Sequence, residues 1–208
     1  MRHAHPNAEE SDLDELGVKQ AEASRDAYLS NIPIGLGISS ELKRAESTLR
    51  IAATKKPGTA PPTLYFGQEE LGYRWILKNP ILPRFANPEP APTNAHELIE
   101  RWPPALNFGW SIWRIMMRSR KHFVDFWWKD DGTWESSQPR ERNVVIVSHG
   151  KVIEPVAVAQ KKLVRALKDI PLLGHADILR VSVVWENAPN EEPDGEIIAI
   201  DHLPCPLR

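Results

Sequence analysis

Asn143-Val144-Val145-Ile146-Val147-Ser148-His149-Gly150 is the stretch that decides the fold. Its apolar residues run without alternation, the pattern of a strand buried on both faces of a parallel sheet. Reading outward, a helix is expected over about Val152–Leu167, then strands near Ile178–Trp185 and Glu196–Asp201. Toward the amino end, residues 12–30 read as a helix, Gly35–Ser39 as a strand, Glu41–Ala53 as a helix and Thr63–Phe66 as a strand. In the second of those helices Leu42, Ala45, Leu49 and Ala52 recur at three and four residues and give one apolar stripe, closed by Lys55, Lys56 and Pro57. Strand and helix alternate at both ends of the chain, which predicts a three-layer α/β/α sandwich.

The 208 residues suit one domain, 1–208, carrying a sizeable insertion. Lys plus Arg is 26 against 28 for Asp plus Glu, a balance that argues against nucleic acid as the main ligand. No apolar run is long enough to span a bilayer, and MRHAHPNAEE lacks the apolar stretch of a secretory signal, so no membrane partner is expected. The single cysteine, Cys205, excludes an internal disulfide and a cysteine-based zinc cluster; a reducing cytoplasm is the expected compartment. Ten of the 19 prolines fall between Pro57 and Pro104, and seven of the eight tryptophans between Trp75 and Trp134. Both excesses mark residues 67–140 as a separate segment, an insertion with a long helix expected from about Ala105 to Trp128.

Three short segments carry the chemistry: Arg2-His3-Ala4-His5-Pro6, Ser39-Ser40-Glu41-Leu42-Lys43-Arg44-Ala45-Glu46-Ser47-Thr48, and Val145-Ile146-Val147-Ser148-His149-Gly150. Their order and context resemble the histidine phosphatase superfamily, the phosphoglycerate-mutase-like enzymes. In that family Arg-His ends the first strand, Ser-x-Leu-x-Arg-x-x-x-Thr opens a helix after the second, and His-Gly ends a later core strand. Leu13–Ala21 is similar to the family's Leu-Thr-x-x-Gly-x-x-Gln-Ala helix start, with Asp14 in place of the Thr. The resemblance covers residues 2–53 and about 143–201; the middle segment lies outside it, where the family commonly inserts a cap, so the resemblance implies that the Pro/Trp-rich residues 67–140 are a cap insertion.

The resemblance implies hydrolysis of a small phosphorylated substrate, a phosphomonoester, through a phosphohistidine, with no metal and no cofactor. His3 is then the nucleophile, Arg2 and Arg44 clamp the phosphate, and His149 stabilises the transferring group. The residue types fit that chemistry. Phosphoryl transfer spreads negative charge over three oxygens, which arginine forks match, and a neutral imidazole nitrogen can carry the group covalently. An acid must protonate the leaving oxygen, and the family takes a glutamate four residues before a glycine. Here Glu69 precedes Gly72 by three and Glu70 by two, so both stay open, with Glu69 preferred. A phosphatase is favoured over a mutase, which needs a retained bisphosphate and a tightly closed cap.

Other readings stand beside this one. His3 and His5 make a His-x-His pair of the kind that binds metal on one strand face, although the chain is short for the eight-stranded barrel that usually carries it. The aromatic stretch from Trp102 to Trp128 is either helical packing against the core or an aromatic-lined surface. In the second case an inactive family member acting as a binding module is the alternative function. Arg114, Arg118, Arg120 and Lys121 would add charge near an anionic substrate or form a solvated face. His96, His122, His175 and His202 have no motif around them and are expected at the surface or at caps. Finally, only Met1 precedes Arg2, so the first core strand is expected to be missing. That would leave Arg2 and His3 on a mobile terminus and suggests a start at an internal methionine of a longer reading frame.

Overall fold

The computed structural model describes residues 1–54, 61–72, 90–120, 126–128, 134–136, 143–156, 170–185 and 195–207. The stretch at 143 forms strand β5, Asn143–Val147, beside and parallel to β1, Ile34–Ser39, with Gly37 opposite Val145 and Ser39 opposite Val147. On the far side of β1 lies β2, Thr63–Tyr65, also parallel, which makes the order β2-β1-β5. Val145 and Val147 pack into one apolar cluster while Val144 and Ile146 pack against another. The unalternating run is therefore covered on both faces, as its pattern predicts.

Two helices cover one face. Helix α1, Glu15–Ser24, starts at Asp14, whose carboxylate accepts the Gly17 N–H at 2.7 Å. Helix α2, Lys43–Ala52, buries Ala45, Leu49 and Ala52, the stripe read from the sequence. Gly37 of β1 faces that helix: a Cβ there would lie 2.9 Å from Leu49 and 2.7 Å from Leu64, so the helix could not settle as closely on a larger residue. The opposite face takes Leu36 and Ile38 of β1 together with α3, Ala95–Arg101, and α4, Leu106–Arg120. Phe108, Ile112, Trp113 and Ile115 of α4 are all buried there.

Several expectations are corrected. The helix of the middle segment does not reach Trp128. Phe126–Trp128 is a strand, β3, paired antiparallel with β4, Trp134–Ser136. The run Phe-Val-Asp-Phe-Trp-Trp is aromatic and β-prone, and such residues favour a pleated surface over a helix. Val152–Pro155 is a turn rather than the first turn of a helix, and Pro155, with no N–H to donate, suits the place where a helix can begin. The rest of the helix expected to Leu167 lies outside the described residues, as do the Lys55–Pro57 helix stop, Trp75, Lys121 and His122.

The largest correction concerns the terminus. Met1–His3 are not loose but run along the flank of β5. The Met1 amino group donates to Ile146 O at 2.8 Å, Ser148 N–H to Met1 O at 3.1 Å, and His3 N–H to Ser148 O at 2.8 Å. On their other side Arg2 N–H donates to Asp177 O at 2.9 Å and Ala176 N–H to His3 O at 3.3 Å. Asp177 leads directly into β6, Ile178–Trp185, which pairs antiparallel with β7, Gly195–Leu203. Met1–His3 thus occupy the carboxyl end of the lane expected for the first strand and join the hairpin to the parallel sheet.

The next residues are fixed by α1 and α2. Ala4 N–H donates to Thr48 Oγ at 3.0 Å and His5 N–H to Gln20 Oε1 at 3.1 Å. Gly17 lets α1 come against the same segment, since a Cβ at that position would lie 2.1 Å from the His5 carbonyl oxygen. Backbone cannot yield to such a contact. Gly17→Ala should cost about 1–3 kcal/mol, seen as a lowered Tm, whereas an unchanged Tm would mean that α1 is not held against His5.

Candidate active site

Two strand ends meet at the site. His3 is 5% exposed, and its Nδ1 lies 2.7 Å from Ala4 O. A carbonyl only accepts, so Nδ1 carries the proton and the lone pair is on Nε2. The His149 ring stands edge-on to it, centroids 5.0 Å apart and planes at 62°. His149 is itself 1% exposed, with Nε2 2.9 Å from Ser40 Oγ. The Ser-x-Leu-x-Arg-x-x-x-Thr spacing now has a structural meaning. Ser40 meets His149, Arg44 lies on the first turn of α2, and Thr48, one turn on, holds Ala4 next to His3.

Arg2 donates from Nη1 to Leu173 O at 2.5 Å and from Nη2 to His175 Nε2 at 3.1 Å. Gly150 lets the guanidinium lie flat against the strand end, because a Cβ there would be 3.1 Å from its Nε, Cζ and Nη1. Arg44 donates from Nη1 to Glu10 O at 2.5 Å, with the Glu10 carboxylate 3.8 Å away. The Nε atoms of Arg2 and Arg44 are both buried without a hydrogen-bond partner among the described residues. A buried charged donor left unpaired costs more than the 1–3 kcal/mol of a neutral one, and a tetrahedral anion between the two arginines would relieve that cost.

The histidines are neutral. Burial, followed by the charges of Arg44, Arg2 and His175, outweighs the Ala4 hydrogen bond and lowers the His3 pKa to about 3. Burial, then His3, Arg44 and Arg2, lowers His149 to about 2, and burial with Arg2 foremost among the charges lowers His175 to about 4. At neutral pH His3 therefore presents an unprotonated Nε2, the state a nucleophile needs.

Sequence reasoning placed His175 at the surface or at a cap; the structure places it in the site, half-buried, 5.6 Å from the His3 ring and 5.1 Å from that of His5. Glu154, fully buried, was also missed. Its Oε1 accepts the Leu173 N–H at 2.7 Å, so it anchors the loop whose next polar atom, Leu173 O, takes Arg2. Burial raises its pKa, opposed by its hydrogen bonds and by Arg2. Of the expected acids, Glu69 is exposed on a short turn and Glu70 pairs with Arg118 at 3.3 Å. Glu41 has both carboxylate oxygens buried against Gly72, without a hydrogen-bond partner among the described residues. His96 pairs with Glu100 and His202 with Asp177, and Cys205 is buried with its N–H donated to Asp177. Among the described residues no group of three or more His, Cys, Asp and Glu is arranged to hold a metal ion, and no helix is long and apolar enough to cross a membrane.

Fold and site define an α/β protein with a pocket of paired histidines and paired arginines at the carboxyl ends of its parallel strands. Residues 2–67 match the family model of the histidine phosphatase superfamily, branch 1. Solved structures share the fold over nearly the whole chain. A protein described as mycobacterial hydrolase 2 gives a TM-score of 0.59 at 18% identity, covering 95% of this chain and 87% of that one. Mycobacterial glucosyl-3-phosphoglycerate phosphatase gives 0.55 at 17%, covering 95% of both chains. Phosphoserine phosphatase from Entamoeba histolytica gives 0.50 at 12%, covering 96% and 93%. No curated protein matches the chain. The fold is thus shared with these solved structures, and the sequence match to the family model is confined to the first third of the chain.

The lowered histidines link stability to pH with a definite sign. Each binds a proton in the unfolded chain below about 6.5 but not in the folded one until about 4 or lower. Their contribution is intact above the unfolded value and is lost as the pH falls from about 6.5 toward 3. Thermal unfolding of His175→Gln across pH 6.5 to 4 should show a shallower loss of Tm than the parent chain. Equal slopes would mean that His175 titrates normally.

Proposed function

We propose that this chain hydrolyses a small phosphomonoester through a phosphohistidine formed on His3. The observation that carries the reading is the neutral His3, with its lone pair on Nε2, beside His149 in a pocket where Arg2 and Arg44 each keep a buried Nε–H without a partner among the described residues. Phosphoryl transfer asks mainly for positioning and for compensation of charge on the equatorial oxygens, which two guanidinium groups and a second imidazole supply. His3 Nε2 attacks phosphorus and the ester P–O bond breaks; water then attacks the phosphohistidine and returns the lone pair to His3. Arg2 is held by Leu173 O and His175 and so is oriented before substrate arrives. The family match to residues 2–67 and the phosphatases among the fold's relatives support the same reading.

The aromatic middle favours catalysis over a binding module less directly. Trp102, Phe108 and Trp113 are spent on the core, and among the described tryptophan side chains of α4 only Trp110 is exposed, at 40%.

A panel of phosphomonoesters assayed for phosphate release tests the proposal. His3→Ala should lose activity by several orders of magnitude, because it removes the covalent route. The parent chain quenched during turnover should carry a phosphoryl group that is stable in base and labile in acid. EDTA should leave turnover intact. Activity that EDTA abolishes and zinc restores, or that survives in His3→Ala, would overturn the mechanism.

A further inference from the structure

We infer that His5, oriented by Asp14, is the group that protonates the leaving oxygen and later takes a proton from the attacking water; this rests on the phosphohistidine reading above. The observation is a His–Asp pair at the rim of the pocket. His5 Nδ1 lies 2.8 Å from Asp14 Oδ2, and a carboxylate only accepts, so Nδ1 carries a proton. The other nitrogen, Nε2, has no hydrogen-bond partner among the described residues, and the side chain is 42% exposed. Proton exchange with a ligand therefore falls to Nε2.

Ring contacts place the pair beside the pocket. The His5 ring stands edge-on to His175, centroids 5.1 Å apart and planes at 83°, and His175 lies 5.6 Å from His3 on its other side. His3 and His5 therefore flank one ring, while Ala4 between them turns into the core under α2. His5 is held at both ends of its backbone, by Gln20 at its N–H and by the Asp14 N–H at its carbonyl. Asp14 is fixed in turn by the Gly17 N–H, the foremost cause of its lowered pKa, with His5 adding to the effect. The charged and titratable groups facing His5 are Asp14 on α1 and His175, with Arg2 behind the latter.

The proton balance closes. With both nitrogens protonated, His5 gives its Nε2 proton to the ester oxygen as the P–O bond breaks and the electron pair moves to that oxygen. His3 Nε2 forms the new bond to phosphorus. Neutral His5 then takes a proton from water as the water oxygen bonds to phosphorus and the His3 Nε2–P bond breaks. Ester and water become alcohol and phosphate, and both histidines return to their starting states. His3 and His149, buried and neutral, are unsuited to the acid's part, whereas the rim position of His5 leaves its Nε2 open to solvent.

Leaving-group dependence tests the assignment. A nitrophenolate departs with little help, whereas an alkoxide needs the proton. His5→Gln should widen the ratio of nitrophenyl phosphate to alkyl phosphate turnover by about 100-fold or more. Asp14→Asn keeps a good helix cap but loses the carboxylate, so its Tm should hold while the same ratio widens less. It also tests the pair should His5→Gln fail to fold. An unchanged ratio in both variants, or a widened ratio in Glu69→Gln or Glu41→Gln instead, would overturn the assignment and leave the phosphatase reading in place. Absence of His3-dependent turnover of the nitrophenyl ester by the parent chain would overturn both.

Discussion

Five backbone hydrogen bonds, from Met1, Arg2 and His3 to Ile146, Ser148, Ala176 and Asp177, set everything else in the site. Arg2 pairs with Ser148 in parallel register, so the next residue on each strand, His3 and His149, stands at the same height above the sheet. Side chains alternate along an extended chain, and a slip of one residue would turn His3 under α2 and bring Ala4 to the pocket. The register is pinned by the packing of Ala4 and by its bond to Thr48. The same ladder carries the third histidine. Ala176 and Asp177 are tied to His3 and Arg2, so His175 is delivered beside the pocket by the chain that starts β6.

Charge in the pocket is arranged around this frame. Arg2 and Arg44 cannot deprotonate, while His3, His149 and His175 shed their protons because burial and the arginines both oppose a further positive charge. Among the described residues the carboxylate paired with Arg44 is Glu10, at 3.8 Å and 75% exposed, too far and too wet to neutralise it strongly. Arg2 instead gives its Nη donors to a carbonyl and an imidazole, neither of which cancels its charge. Glu154 acts from below: it holds the Leu173 N–H, and Leu173 O then holds Arg2. An electropositive pocket with directed, partly unsatisfied donors is the electrostatic complement of a phosphate dianion.

The parts of this design that reside in local sequence were legible. The run at 143–147 and the stripe of α2 follow from periodicity, whereas Arg2, His3, Arg44 and His149 are legible through the resemblance of their motifs to a known family, and the structure brings those four residues together. The parts that depend on distant segments were not. His175 has no motif because its place is set by β6 running antiparallel to the core. The amino end of such a strand lies at the same edge as the carboxyl ends of its parallel neighbours, and a residue just before Ile178 arrives there for topological reasons alone. Glu154 is the third residue of the expected helix and has no motif around it, and the turn at Val152–Pro155 buries it instead. The extent of the helix in the middle segment was misread because aromatic residues satisfy a helical and a strand pattern alike, and the hairpin partner at Trp134 decides between them.

Four histidines of one intrinsic chemistry thus take different parts according to what surrounds them. His3 donates from Nδ1 to a carbonyl and keeps its lone pair on Nε2. His149 is nearly sealed and is held by Ser40, so its ring is fixed beside that of His3. His175 accepts from Arg2 and serves to orient it. His5 alone has both a carboxylate partner and access to solvent, the combination that lets an imidazole exchange protons with a bound molecule. A search for an acid that looks only for a glutamate at a family spacing passes over such a residue. The physical requirement is a proton on an oriented nitrogen or oxygen at the rim, opposite the nucleophile. Orientation of His5 needs no structure beyond the helix start, since the carboxylate that caps α1 is the same one that holds His5.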